Sequence, residues 1–389
     1  MNRRDFLRRA SLGLALGIVT GSSGWRRALA GLPAQTGPGP YGPLLAPDAN
    51  GIMLPAGFRS RVVARAGETL GPRGYVWPVF PDGGAVFKRR DGGWVYAVNS
   101  EWFPPAGGGV SALRFDPNGR LVDAYAICTG TALNCAGGAT PWGTWLSCEE
   151  HPTGRVWECD PLGIRPAVVH DALGTFQHEA VAVDRRRRCL YLTEDVPDGR
   201  LYRFTPRIWR QLGAGGVLEV AVVAADGSVA WRPVPEPNPA DVNANPTRLQ
   251  VPESTAFRGG EGIASRRGHV YFTTKGDNRV WDYDVRRARL RVFYDRALDP
   301  ARTLGGVDNV AVARSGDLVV AEDGDNLELV LLSPGGIVSP LLRVTGQDGS
   351  ELTGPAFAPG NRLYFNSQRG GGQGITYEVI GPFRRRATA

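Results

Sequence analysis

Apolar and polar positions along the chain alternate in short runs and show no sustained helical stripe. Six of these runs end on polar residues: VYAVNSE at 95–101, TWLSCEE at 144–150, LYLTED at 190–195, VYFTTK at 270–275, LVVAED at 318–323 and LYFNSQ at 363–368. Alternation over so few residues predicts β-strands. The second residues of these runs, Tyr96, Trp145, Tyr191, Tyr271, Val319 and Tyr364, are separated by about 49, 46, 80, 48 and 45 residues. A period of roughly 40–50 residues in strand-rich sequence is the signature of a four-stranded propeller blade. Further strands follow after turns, in RLYRF at 200–204, RVWDY at 279–283 and LELVL at 327–331. The expected fold is therefore all-β, a single six-bladed β-propeller. The one long step predicts an insertion on one blade at about 205–255, around the proline-rich stretch 233–252. The early run FRSRVVA at 58–64 and the late run ITYEVI at 375–380 are expected to share a blade and close the ring. A β-sandwich does not repeat a motif at this spacing.

The first thirty residues carry a pattern of a different kind. Arg3-Arg4-Asp5-Phe6-Leu7-Arg8 fits a twin-arginine export signal, followed by a weakly apolar segment and an Ala28-Leu29-Ala30 cleavage site. Residues 1–30 are read as the signal peptide and 45–389 as the propeller. The expected partner in export is the twin-arginine translocase, and the destination is periplasmic or extracellular. The apolar run is shorter than the roughly 18 residues that span a bilayer, so no permanent membrane anchor is expected. The net charge of +7 comes partly from the signal, and the run Asp184-Arg185-Arg186-Arg187-Arg188 falls between two strands. A solvated turn accounts for that run, and no nucleic-acid partner is expected. The mature protein is read as a monomer.

Candidate chemistry appears about 10–14 residues before each marker, where the first strand of a blade begins. The residues there are Asp82, Cys135, Glu179, Glu261, Asp308 and Glu351. Gathering carboxylates on a propeller axis costs repulsion and desolvation unless cations compensate. Carboxylates suit hard cations such as Ca²⁺, and a thiolate adds affinity for iron or zinc. Glu101, Glu149, Glu150, Glu194, Asp195, Glu322 and Asp323, at the second-strand ends, are further donors or supports. By spacing alone, Cys135 fits a metal ligand and a disulfide partner equally, since the chain has five cysteines. His178 fits a hydrogen-bonded histidine better than a ligand.

The stretches NCAGGATPWGTWLSCEE, FQHEAVAVD, LYLTEDVPDGRLYRFTP and ELTGPAF with LYFNSQRG together resemble the PhoX family of secreted alkaline phosphatases, from about Pro81 to Gly370. The resemblance implies a six-bladed propeller that hydrolyses small phosphate monoesters with iron (Fe³⁺) and calcium (Ca²⁺). It implies Cys135 as an iron ligand and Asn134 as a phosphate contact. It also implies Glu179, Glu261, Glu351 and Glu149 or Glu150 as metal ligands, with Asp308 added from the blade pattern. Members of the family carry an arginine two residues before the glutamate of ELTG, where this chain has Gly349; Arg369 is the expected replacement. Two other functions fit the same scaffold: a calcium-dependent lactonase or esterase, and a metal-stabilised binding propeller without turnover.

Overall fold

The computed structural model describes residues 33–386 except 325; the expected signal peptide lies outside the described residues. Six antiparallel sheets follow one another along the chain, each packed against the next. Blade 1 comprises Pro81–Lys88, Trp94–Ser100, Val110–Phe115 and Leu121–Cys128. Blade 2 begins with Asn134–Ala139 and Trp145–Glu149, blade 3 with His178–Asp184 and Cys189–Glu194. Blade 4 begins with Gly260–Arg266 and His269–Thr274, and blade 5 with Val307–Val312 and Leu318–Glu322. Blade 6 takes three strands from the end of the chain, Leu352–Ala358, Arg362–Ser367 and Ile375–Ile380. Its outer strand is Arg59–Arg65, paired antiparallel with Ile375–Ile380. The predicted ring and its closure are both present.

In most blades the second strand is sandwiched between neighbouring sheets, so its alternation disappears in burial: every residue of Trp94–Ser100, Cys189–Glu194 and Leu318–Glu322 is buried. The aromatic markers fill the spaces between blades. Tyr96 of blade 1 stacks on Tyr364 of blade 6 with ring centroids 5.1 Å apart. Its hydroxyl donates to the Gly354 carbonyl at 2.8 Å, so the buried ring keeps its polar tip satisfied.

Blade 3 has a fifth strand, Val229–Pro233, and a long connection to blade 4 that packs back on Gly174 and Thr175. The segment before residue 45 also joins the ring, with Gln35–Thr36 lying parallel to the outer strand of blade 5. Arg185 to Arg188 form the exposed turn expected of them, capped by the Asp184 carboxylate. Among the described residues no helix is long and apolar enough to cross a membrane.

Candidate metal centre

The first strand of every blade carries one extra residue near its start. Pairing runs Pro81 to Ser100 and resumes at Gly84 with Val98; Asn134 to Glu149 and resumes at Gly137 with Ser147. The same skip follows His178, Gly260, Val307 and Thr353. A β-bulge bends the strand and re-aims the residues within it. The paired residue turns into the blade, and the next one turns to the axis. Asp82, Cys135, Glu179, Glu261 and Asp308 all occupy that second position.

Blade 6 departs from the pattern. Its bulge position is Gly354, at φ +59, and a Cβ there would lie 2.6 Å from the Asp82 carbonyl oxygen. Only glycine fits such a conformation and approach. Glu351 therefore reaches the ring from three residues earlier, where its backbone bridges to Asp323.

Four groups of donor atoms lie within 4.8 Å of one another: Asp82 with Glu101 and Cys135; Cys135 with Glu150 and Glu179; Glu179 with Glu261 and Asp308; Asp308 with Asp323 and Glu351. Cys135, Glu150, Glu179, Glu261, Asp308 and Glu351 are thus brought together. All five cysteines are unpaired and buried, so Cys135 is not in a disulfide.

Two expected site residues face elsewhere. Asn134 is the paired residue before the bulge, and it is fully buried in the blade. Its Oδ1 accepts from Gly109 N at 2.6 Å and Thr131 Oγ1 at 2.8 Å, while Nδ2 donates to Ser147 Oγ at 2.9 Å. Both polar atoms of its amide are thus engaged within the blade. Glu149 accepts from Ala132 N, Arg155 N and Trp157 Nε1 at 3.1, 3.3 and 3.1 Å. Strand alternation explains the difference between the two neighbours: Glu149 turns to the loop, and Glu150 to the ring. Glu194 and Glu322 repeat the role of Glu149, each accepting the backbone N–H six residues on, at Arg200 and Glu328. His178 likewise turns inward: Nε2 donates to Gly174 O at 3.1 Å, and burial lowers its pKa to about 4, leaving it neutral.

Two cations enter the ring. Lys275, which the sequence pattern did not single out, follows the second strand of blade 4. Its Nζ lies 3.0 Å from Glu261 Oε1, 3.3 Å from Asp323 Oδ2 and 3.6 Å from Asp308 Oδ2. Arg369 places Nη1 2.8 Å from Glu351 Oε1, and its Nε donates to Gly349 O at 3.1 Å. The guanidinium thus stands beside Gly349.

The remaining electrostatics are unfavourable without bound cations. Glu179 is completely buried, and neither of its oxygens has a hydrogen-bond partner by geometry. Burial first, then Asp308 and Asp195, push its pKa well up, with the adjacent Cys135 thiol opposing. Burial and then Asp82 and Glu179 hold the Cys135 thiol well above its usual range. Burial and then Asp323 raise Glu351 to about 8, and burial raises Asp308 to about 6 although Lys275 opposes it. Asp323 moves the other way: burial is overcome by Lys275, and its pKa falls to about 2.

A buried carboxylate with no partner is costly, and a cation between such groups removes the cost. The donor set fits metal: oxygens throughout, with one sulfur shared by two groups. Below the ring runs an axial channel of about 470 Å³, lined by small residues of the first strands such as Gly84, Gly138 and Ala180.

Comparison with known proteins gives this arrangement a context. The PhoX alkaline phosphatase family profile matches residues 105–371. The PhoX of Pseudomonas fluorescens, solved in complex with vanadate, a transition state analogue, is 17% identical to this chain. It superposes with a TM-score of 0.73 over 87% of this chain and 97% of its own. A gluconolactonase of Xanthomonas campestris is 14% identical, with a TM-score of 0.51 over 88% of this chain and 98% of its own. Both likenesses establish the propeller fold. No curated protein sequence gave a significant match. With the family profile spanning most of the propeller, this chain belongs to the PhoX alkaline phosphatase family.

Proposed function

We propose that the protein is a metal-dependent phosphomonoesterase of the alkaline phosphatase type, acting on small phosphate esters with iron and calcium in the ring. The observation that carries the metal reading is Glu179, a wholly buried carboxylate with no partner beyond the adjacent Cys135 thiol and a member of two donor groups. Cys135 shares its sulfur between the groups of blades 1 to 3, so that side suits iron. The group of Asp308, Asp323 and Glu351 is all oxygen and suits calcium. Bound cations would supply positive charge for the phosphate oxygens and Lewis acidity toward the attacking oxygen.

The chain's own residues then have separate tasks. Arg369, partly exposed beside Gly349, presents a planar guanidinium that matches phosphate oxygens and replaces the family arginine. Glu351 holds that guanidinium in place at 2.8 Å. The second-strand glutamates Glu149, Glu194 and Glu322 fix the loops that carry Glu150, Asp195 and Asp323.

We also propose export of the folded chain through the twin-arginine translocase, guided by residues 1–30, to the periplasm or exterior as a monomer. Hydrolysis of p-nitrophenyl phosphate by protein loaded with iron and calcium tests the function. Turnover that disappears on chelation and in Cys135→Ser is expected. A folded, metal-loaded protein that leaves phosphate monoesters intact but opens a lactone would overturn the reading in favour of the lactonase.

A further inference from the structure

Of the four donor groups, one, Glu179 with Glu261 and Asp308, is built from the ring residues of blades 3, 4 and 5 alone. The other three combine the bulge residue of one blade, the residue after that blade's second strand, and the ring residue of the next blade. They are Asp82, Glu101 and Cys135 between blades 1 and 2; Cys135, Glu150 and Glu179 between blades 2 and 3; and Asp308, Asp323 and Glu351 between blades 5 and 6. Register fixes the equivalence. Ser100, Glu149 and Glu322 each pair with the residue before the bulge, and the residue that follows each of them supplies the middle donor.

In blade 4 the paired residue is Thr274, opposite Gly260, and the residue after it is Lys275. The interval between blades 4 and 5 thus holds Glu261 and Asp308 in the usual places, with an ammonium where the middle acid stands elsewhere. Its Nζ lies 3.0 Å from the one and 3.6 Å from the other, and 3.3 Å from Asp323. A positive charge contacting three carboxylates stands where a cation would be held. Blade 6 keeps a different register, since Thr353 pairs with Asn366 and Ser367 follows, yet side-chain donors also fill the interval between blades 6 and 1. There Arg369 contacts Glu351 at 2.8 Å, and Gln368 Nε2 donates to Glu101 at 2.6 Å and to Asp82.

We propose that Lys275 is a built-in cation that takes the place of a metal ion between blades 4 and 5, so that the sequence itself limits how many ions the ring accepts. The inference rests on the metal-dependent reading of the site. It makes a lysine a determinant of metal number, a role distinct from ligand and from substrate contact. Replacing the ammonium with a carboxylate restores the repeated donor pattern and opens the interval to a divalent ion.

The test is elemental analysis of purified wild-type protein, Lys275→Asp and Lys275→Met after identical loading with iron and calcium, together with melting in chelator and in calcium. Lys275→Asp is expected to carry one more divalent ion per chain than the wild type. Lys275→Met is expected to melt about 5 °C or more below the wild type in chelator, because Glu261 and Asp308 lose their counter-charge, with calcium narrowing the gap. A folded Lys275→Asp with the wild-type ion count overturns the proposal. If that variant does not fold, Lys275→Met melting like the wild type in chelator overturns it equally. Unchanged ion counts accompanied by a raised KM for phosphate ester overturn it too, assigning the lysine to substrate. A wild-type protein that takes up no metal overturns both this inference and the functional reading beneath it, whereas a loaded wild type with unresponsive variants overturns this inference alone.

Discussion

Glu179→Gln should change the sign of its effect with metal. In chelator at pH 8 the wild-type protein must bury a carboxyl group with no partner beyond the Cys135 thiol, or protonate it well above its usual range. An unsatisfied buried polar group costs about 1–3 kcal/mol and a charged one more. Glutamine has nearly the same shape, carries no charge, and can donate its amide N–H to the acids of the ring. Glu179→Gln is therefore expected to stabilise the metal-free protein by about 1–3 kcal/mol at pH 8. With metal present the balance reverses, because Glu179 belongs to two donor groups. Losing a site held at a thousand times its dissociation constant removes about 4 kcal/mol of stabilisation. The loaded variant should thus be less stable than the loaded wild type by several kcal/mol and should contain less metal. Urea denaturation in chelator and in calcium with iron, alongside elemental analysis, reads both signs. Destabilisation of similar size in both conditions would mean that Glu179 is a packing residue, and the reasoning would fail.

Other expectations follow from the same geometry. The folded-state pKa of Glu351 is raised to about 8 from 4.5 and that of Asp308 to about 6 from 3.8. Their stability contribution is present below the unfolded values and is lost as pH rises through 6 and 8. Metal-free protein should therefore weaken between about pH 4 and 8, and loading at neutral pH should release protons, measurable in a pH-stat. Glu149→Gln removes charge from an acceptor of three N–H donors, so it should cost about 1–3 kcal/mol in denaturation while leaving the ion count unchanged. Cys135→Ser should lose iron and retain calcium by elemental analysis, since the thiolate is the soft donor of the ring. Arg369→Ala should raise KM for phosphate esters and lower kcat, with the ion count unchanged, if the guanidinium meets substrate.

The ring of blades is legible because the markers, five aromatics and Val319, recur about every 45–49 residues apart from the one long step, and the ring residues because each lies about 10–14 residues before its marker. What spacing could not resolve was the local turn of the chain. Whether Glu149 or Glu150 faces the axis depends on a single step of strand alternation, and both readings give the same sequence pattern. Asn134 and Cys135 are separated in the same way by the bulge: one is spent on Gly109, Thr131 and Ser147, the other faces the acids. Glu351 was placed correctly although it does not share the others' bulge position, because the register difference of blade 6 happens to fall within the spacing allowed. Lys275 carries the opposite charge to the pattern of acids that marks the ring. A search for acids discards a cation, yet the cation occupies the same structural position as Glu150 and Asp323.

Because Arg59–Arg65 completes a sheet whose other three strands begin at Leu352, the ring of blades cannot be locked until the strand Ile375–Ile380 has left the ribosome. The early strand must wait through the synthesis of five blades for its partner. The join also adjoins the ring, since Gln368 from the late segment meets Asp82 and Glu101 from the early one. Assembly of the centre is thereby tied to the synthesis of blade 6, and a chain cut before Ile375 forfeits the latch and the finished site together.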